Sequence, residues 1–360
     1  MFRKWSIPWL LLPLLAGCRS LPVVNPVFLG EAWGSGYSVT VAGSVPRRES
    51  RTLARCIDGE LETIASELSL WNPDSELSRF NAWKSTNRFP LTPSLAATFR
   101  AALEISRETD GTFDPTIGPL MALWGFGPHG GDFAPPGEDA IADFLPRVGW
   151  RQISLFSNSV FKATPRIEMD LNAVADGIAA DRISALLRAA GCPNHLVEVG
   201  GEVVAAGSGP GGVPWRIGIE NPDPRSLPGD SIQGIVRLSD RALATSGNYR
   251  KERRGPDGQM YTHILDPRLG KPVQSQVASV SVVADSGIRA DALATALFVM
   301  GPENGLEWIA RHPGVEALFI LRQPDGTTLE KPSRGFEAAT TYKRVGTFFS
   351  AMPPDAPETD

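Results

Sequence analysis

Between residues 48 and 70, apolar side chains recur at Leu53, Ile57, Leu61, Ile64 and Leu68. Steps of three and four predict a helix with one buried stripe. A second helix is predicted over residues 94–109, with Leu95, Phe99, Ala102 and Leu103 on one face and Gly111 placed to end it. A third follows Asp170-Leu-Asn172 and runs to Ala190. Strand-like runs fall at residues 37–41, around Ile153 and Phe161, and at 195–199, 203–206, 215–219, 234–238, 277–284 and 316–322. Gly, Pro and Asp turns separate the four runs from 195 to 238, which reads as an antiparallel meander. The pattern predicts an α+β protein with largely antiparallel sheets and packed helices.

The two ends follow different rules. Arg3 and Lys4 precede the short apolar run 9–15, too short to span a bilayer, and Leu15-Ala-Gly-Cys18 closes it. This looks like a bacterial lipoprotein signal: residues 1–17 are expected to be removed and Cys18 to be lipidated. Residues 18–29 then form a tether, and 30–345 the domain. The Pro-rich, acidic residues 346–360 read as a disordered tail. A Gly/Pro-rich segment, 125–137, marks an internal boundary or a mobile flap between two lobes.

Composition narrows the function. The chain has 360 residues, 42% of them hydrophobic and 21% charged, with a net charge of −5 and no basic stripe suited to nucleic acid. Cys56 and Cys192 have no metal-ligand spacing. An oxidising compartment permits a disulfide between them, but two separate buried thiols fit their isolation better.

Four segments concentrate Asp, Gly, Thr and His. Around Asp114, two glycines, two prolines and Thr112 make a rigid turn that either closes a helix or approaches a diphosphate closely. Asp170 and Asn172 precede a helix, so they either cap it or leave its amides free for an anion; Asp176, one turn in, reads as a solvated charge. Thr245-Ser-Gly247 and the stretch from Tyr261 to Pro272 place hydroxyls, His263, Asp266 and the cations Arg250, Arg268 and Lys271 together. His263 beside Asp266 suits either general acid–base work or a structural turn. In Ala290-Asp-Ala-Leu-Ala-Thr295, Asp291 and Thr295 share one helical face inside an apolar run. They are either a carboxylate satisfied by helix-start amides or two oxygen ligands for a hard cation. No nucleophile elbow, Walker loop, zinc spacing or Rossmann fingerprint is present. Oxygen ligands, backbone donors and a few cations suit magnesium-assisted chemistry at a phosphate or diphosphate.

In this order, Gly34-Ser-Gly-Tyr37, Trp71-Asn-Pro-Asp-Ser-Glu-Leu-Ser-Arg-Phe-Asn81, Asp114-Pro-Thr-Ile-Gly-Pro-Leu, Trp124-Gly-Phe126, Asp170-Leu-Asn-Ala-Val-Ala-Asp-Gly, Val199-Gly-Gly201, Ala244-Thr-Ser-Gly-Asn-Tyr249, His263-Ile-Leu-Asp-Pro267 and Ala290-Asp-Ala-Leu-Ala-Thr295 make the chain resemble the ApbE-type FAD:protein FMN transferases over roughly residues 30–330. The resemblance implies that family's fold, FAD as substrate and a magnesium ion. It implies transfer of FMN to a threonine hydroxyl of an acceptor protein, with AMP released. It puts Asp291, Thr295 and the carbonyl of Ala173 on the metal, and His263 beside the reacting phosphates. Trp33, Trp71, Thr112, Phe113, Asp114, Asp170, Asp176 and Leu265 would contact FAD. Trp33 stands where the family commonly has Met, and Trp71 where Tyr is common; at Asp176 the family varies between acidic and basic residues. The implied partner is a periplasm-facing subunit of a respiratory electron-transfer complex, and the implied location the periplasmic side of a membrane, the inner one favoured. Two alternatives stand beside this reading: a magnesium-dependent FAD pyrophosphatase, and a non-catalytic periplasmic flavin-binding or assembly lipoprotein.

Overall fold

The computed structural model describes residues 22–345 except 128–132, 228, 250–251 and 257. Cys18, the leader, part of the tether, the tail, Arg250 and the middle of the Gly/Pro-rich segment therefore lie outside the described residues. Among the described residues no helix is long and apolar enough to cross a membrane.

Ten strands organise the fold: β1 (Val27–Ala32), β2 (Ser35–Val41), β3 (His195–Val199), β4 (Glu202–Ala206), β5 (Trp215–Glu220), β6 (Ile232–Leu238), β7 (Arg241–Gly247), β8 (Val277–Ala284), β9 (Glu316–Arg322) and β10 (Thr328–Pro332). Eight of them form one sheet in the order β10-β9-β8-β7-β4-β3-β2-β1, and every neighbour in it is antiparallel. Side chains alternate across this sheet with period two. On β9, Ala317, Phe319 and Leu321 face one core, while Leu318 and Ile320 face another.

The first core holds the helices, chiefly α1 (Arg47–Leu68), α2 (Glu76–Ala82), α3 (Pro93–Glu108), α4 (Asn172–Ala189) and α5 (Gly287–Ala310). The stripe Leu53, Ile57, Leu61, Ile64 and Leu68 is buried as its spacing requires. α3 ends at Gly111, whose φ of +77° puts it in the left-handed region and whose amide reaches back to Ser106.

The second core corrects the expected meander. β3 and β4 form a hairpin, but β5 and β6 leave the large sheet and pair with Lys343–Arg344 in a separate one. Trp215, Ile217 and Ile219 alternate with solvent-facing residues, so β5 offers a single apolar face. That face covers Val203, Leu243 and Leu318 instead of extending the meander. The cysteines also differ from expectation. Both are free, Cys56 is exposed and Cys192 half-buried; Cys56 precedes Ile57 on α1 and so points about 100° away from the buried stripe.

α4 and α5 cross at two glycines. A Cβ on Gly177 would lie 2.5 Å from the Gly287 carbonyl oxygen and 2.9 Å from the Asp291 Cβ, so any side chain there must push the helices apart. The start of α5 is tied to α4 as well: Asp181 accepts from the amides of Gly287 at 2.7 Å and Ile288 at 2.9 Å. Gly177→Ala is expected to destabilise the protein by about 1–3 kcal/mol, the usual cost of overpacking. A thermal melt with an unchanged midpoint would contradict that close packing.

Candidate active site

Where the strand ends of the large sheet meet the start of α4 and the first turns of α5, a cavity of about 960 Å³ opens. Thr112, Phe113, Asp114, Asp170, Ala173, Asp176, His263, Leu265, Asp291 and Thr295 all line it. Segments far apart in sequence are thus brought to one place.

The floor is built by the α4–α5 crossing. The amide of Gly177 donates to Asp291 Oδ2 at 3.1 Å. By helical spacing the same amide faces the carbonyl of Ala173, four residues earlier. Asp291 and the Ala173 carbonyl therefore lie close together. One turn along α5, Thr295 Oγ1 lies 3.2 Å from Ser246 Oγ on β7, so the Thr245-Ser-Gly247 segment joins the pair. A carboxylate, a carbonyl and a hydroxyl on one floor are the hard oxygen donors a magnesium ion takes, with room left for substrate and water oxygens.

The electrostatics point the same way. Burial pushes the Asp291 carboxyl well above the ordinary carboxylate range, and the charge of Asp176 adds to it. Glu202 is pushed up in the same direction by burial, then by Asp291 and Asp176. Among the described lining residues, these carboxylates are joined by Glu198 and Glu220, and no lysine or arginine is present. Beside them is the start of α4, where Asp170 takes the Asn172 amide and the Leu171 carbonyl takes that of Val174, so of these first three amides the Ala173 amide is the one left for a ligand. A negative floor beside a helix start suits a phosphate that arrives with a cation.

Other expected residues support the walls. Asp114 is taken up internally: Thr116 donates to it from its amide at 2.9 Å and its hydroxyl at 2.6 Å, and the Trp150 amide does so at 2.8 Å. Burial raises its carboxyl. Asp170 accepts from the Asn172 amide at 2.9 Å but is not the cap residue itself, and burial raises it too. Asp176 is not a purely solvated charge: it lines the cavity and accepts from Trp33 Nε1 at 2.7 Å. Leu265 is buried against Leu120 and Trp124. The His263 ring meets Phe126 edge-on, 6.3 Å between centroids.

Three expectations are not met. Asp266 is bound by Arg268, through its amide at 2.9 Å, Nε at 2.9 Å and Nη2 at 2.7 Å, so the His263–Asp266 turn is structural on the Asp side. Neither Arg268 nor Lys271 lines the cavity; Lys271 pairs with Glu138 at the surface. Trp71 is 62% and Trp33 38% exposed, and neither is among the lining residues. Conversely, sequence reasoning gave no role to Glu198 and Glu202. Their only signal is their place either side of Gly200-Gly201: a Cβ on Gly200 would lie 2.2 Å from Asp176 Oδ2 and 3.3 Å from Glu202 Oε2.

Residues 33–319 match the ApbE family. The chain belongs to it. A relative from Vibrio cholerae serotype O1, named FAD:protein FMN transferase, is 35% identical over 324 residues, spanning 90% of this chain and 95% of its own. One of the same name from Escherichia coli K12 is 31% identical over 303 residues, spanning 83% and 85%. Among solved ApbE structures, the flavin transferase ApbE from Vibrio cholerae superposes with a TM-score of 0.78 at 34% identity, over 87% of this chain and 98% of that one. The apo form of the Pseudomonas stutzeri flavinyl transferase ApbE gives 0.79 at 34%, over 88% and 97%. The α+β fold is that of the ApbE flavin transferases.

The raised Asp291 carboxyl has a consequence for stability. A group whose folded value is raised contributes stability that is full in acid and is lost as pH rises through that value. Asp291→Asn keeps an acceptor for the Gly177 amide and removes the titration. In chelator, wild type is expected to melt at or above the variant near pH 4 and below it near pH 8. Parallel melting curves across that range would contradict the electrostatic reading.

Proposed function

We propose that this chain catalyses magnesium-dependent transfer of the FMN moiety of FAD to a threonine hydroxyl of an acceptor protein, with release of AMP. The observation that carries this reading is the floor where Asp291 accepts from the Gly177 amide, one helical turn after Ala173, with Thr295 beside Ser246, in an ApbE-family chain whose relatives are named FAD:protein FMN transferases. The cavity, about 960 Å³, is at the upper end for a small-molecule site and has room for a dinucleotide.

Asp291, Thr295 and the carbonyl of Ala173 would hold the magnesium ion, which when bound supplies Lewis acidity at the diphosphate. The residues of the chain do the rest. The Ala173 amide at the start of α4 orients a phosphate oxygen. Phe113 and Leu265 give flat or apolar surface to the rings, with Thr112, Asp114, Asp170 and Asp176 shaping the polar edges. Trp33 and Trp71 join them only from the rim. His263 takes the proton of the acceptor threonine, because a neutral hydroxyl is a poor nucleophile. The threonine Oγ–P bond to the FMN half forms as the bond from that phosphorus to the AMP oxygen breaks. The acceptor is a periplasm-facing subunit of an electron-transfer complex, met by an enzyme tethered to the membrane through Cys18.

Incubation with FAD, magnesium and an acceptor bearing a Ser-Gly-Ala-Thr segment should give a covalently fluorescent acceptor and one AMP per flavin. Free FMN with an unlabelled acceptor would instead establish hydrolysis, and tight FAD binding without AMP a non-catalytic role. Asp291→Ala should abolish labelling while the protein stays folded; full activity in that variant would sink the metal assignment. His263→Gln should lower kcat by about 10²–10⁴, the range for a lost general base. A kcat unchanged in that variant would remove His263 from the proton transfer.

A further inference from the structure

One wall of the cavity is the end of a sheet. β1 is the last strand of the eight, and it turns into β2 through the two-residue loop Trp33-Gly34, where φ is +40° and +85°. Positive φ at both positions is the I′ turn that suits a tight hairpin. In such a hairpin the flanking pair, Ala32 and Ser35, exchanges both hydrogen bonds, and so do Gly30 with Tyr37 and Phe28 with Val39. The alternate residues Val27, Leu29 and Glu31 then turn their N–H and C=O groups away from β2. The ladder confirms this phase from the other side, since the Gly36 carbonyl opposite Glu31 accepts from Gly200.

Among the described residues, no main-chain hydrogen bond to Val27, Leu29 or Glu31 comes from outside the hairpin. Among the described residues the edge carries no lysine and no proline within the strand, and Glu31 is its one charge; Val27 is 54% and Leu29 73% exposed. Leu29 also lines the cavity, as do Gly34, Ser35 and Gly36 at the hairpin's end. The open edge therefore runs directly into the reaction site.

Resting on the transferase reading, we propose that the acceptor docks as an added strand: an extended segment flanking its threonine pairs with β1 through Val27, Leu29 and Glu31 and delivers the hydroxyl into the cavity. Donors and acceptors repeating every two residues, about 6.6 Å apart, are matched by another extended chain and not by a helix or a small ligand. Main-chain pairing also leaves the acceptor free in its side chains apart from those at the threonine.

The test uses the purified enzyme and a synthetic peptide carrying Ser-Gly-Ala-Thr, in two further versions N-methylated at alternate amides upstream of the threonine. One methylated register is expected to lose flavinylation and the other to keep it. Val27→Pro removes one outward N–H and leaves the β1–β2 ladder intact, so the peptide KM should rise roughly three- to ten-fold, one hydrogen bond's worth. The KM for FAD and the melting temperature should stay at wild-type values, and Val27→Ala should behave as wild type. Equal flavinylation of both methylated peptides, or an unchanged peptide KM in folded Val27→Pro, overturns the proposal. A wild-type dimer that Val27→Pro dissociates, with peptide KM unchanged, assigns the edge to a second copy and overturns it too. A wild type that releases no AMP overturns the transferase reading beneath it.

Discussion

A Cβ at Gly177 would sit 2.5 Å from the carbonyl oxygen of Gly287, and one at Gly287 only 2.3 Å from that of Gly177, so α4 and α5 reach their observed spacing because both positions lack side chains. The cavity floor depends on that spacing. One turn beyond Gly287, Asp291 meets the amide of Gly177; one turn before Gly177 lies Ala173. Widen the crossing and Asp291 no longer reaches the Gly177 amide. Asp181 holds the same crossing from the other end by accepting the first amides of α5. Glycine contact and cap together fix how far and at what height the helices meet.

The floor is held at an electrostatic cost. On top of what burial does alone, the charge of Asp176 raises the carboxyls of Asp291 and Glu202, and Asp291 raises Glu202 further. A structural site would satisfy such groups with a paired arginine, as the half-buried Arg182 does for Glu60 and Glu67 at 2.5 and 2.6 Å on the helical side of the fold. The contrast is instructive. One acidic cluster is paired with an arginine on the helical side; Asp291 and Glu202 of the other line the cavity. Groups left in that condition are where a stable fold gives up free energy to bind a charged ligand.

The sequence made some of this readable and hid the rest for definite reasons. Helical stripes are local, so Leu53 to Leu68 and Leu95 to Leu103 read directly. Period two says that β5 has one apolar face, but not which sheet that face covers; the departure of β5 and β6 is a tertiary fact. Asp291 and Thr295 stood out because a carboxylate in an apolar helix is anomalous. Glu198 and Glu202 did not, because acidic residues at alternate strand positions look like an ordinary solvated face. Asp176 looked solvated for a similar reason, one charge on a helix, until the Trp33 indole from a hairpin far away in sequence turned out to meet it. Arg268 and Lys271 misled by proximity, since cations near His263 in sequence bind Asp266 and Glu138 in space.

That Trp33–Asp176 contact joins the hairpin to the cavity. A tryptophan at φ +40° is strained relative to the glycine or asparagine that an I′ turn prefers, at a cost on the order of 1–3 kcal/mol. The 2.7 Å hydrogen bond from its indole to a carboxylate is charge-assisted and offsets part of that cost. It also ties the tip of the β1–β2 hairpin to α4, the helix whose start lines the cavity. An edge strand anchored only at its far end would fray at the tip. Fastened here, β1 keeps a fixed height relative to Asp291 and His263, which a strand-paired acceptor needs if its threonine is to arrive at the reacting phosphorus and not a residue early or late.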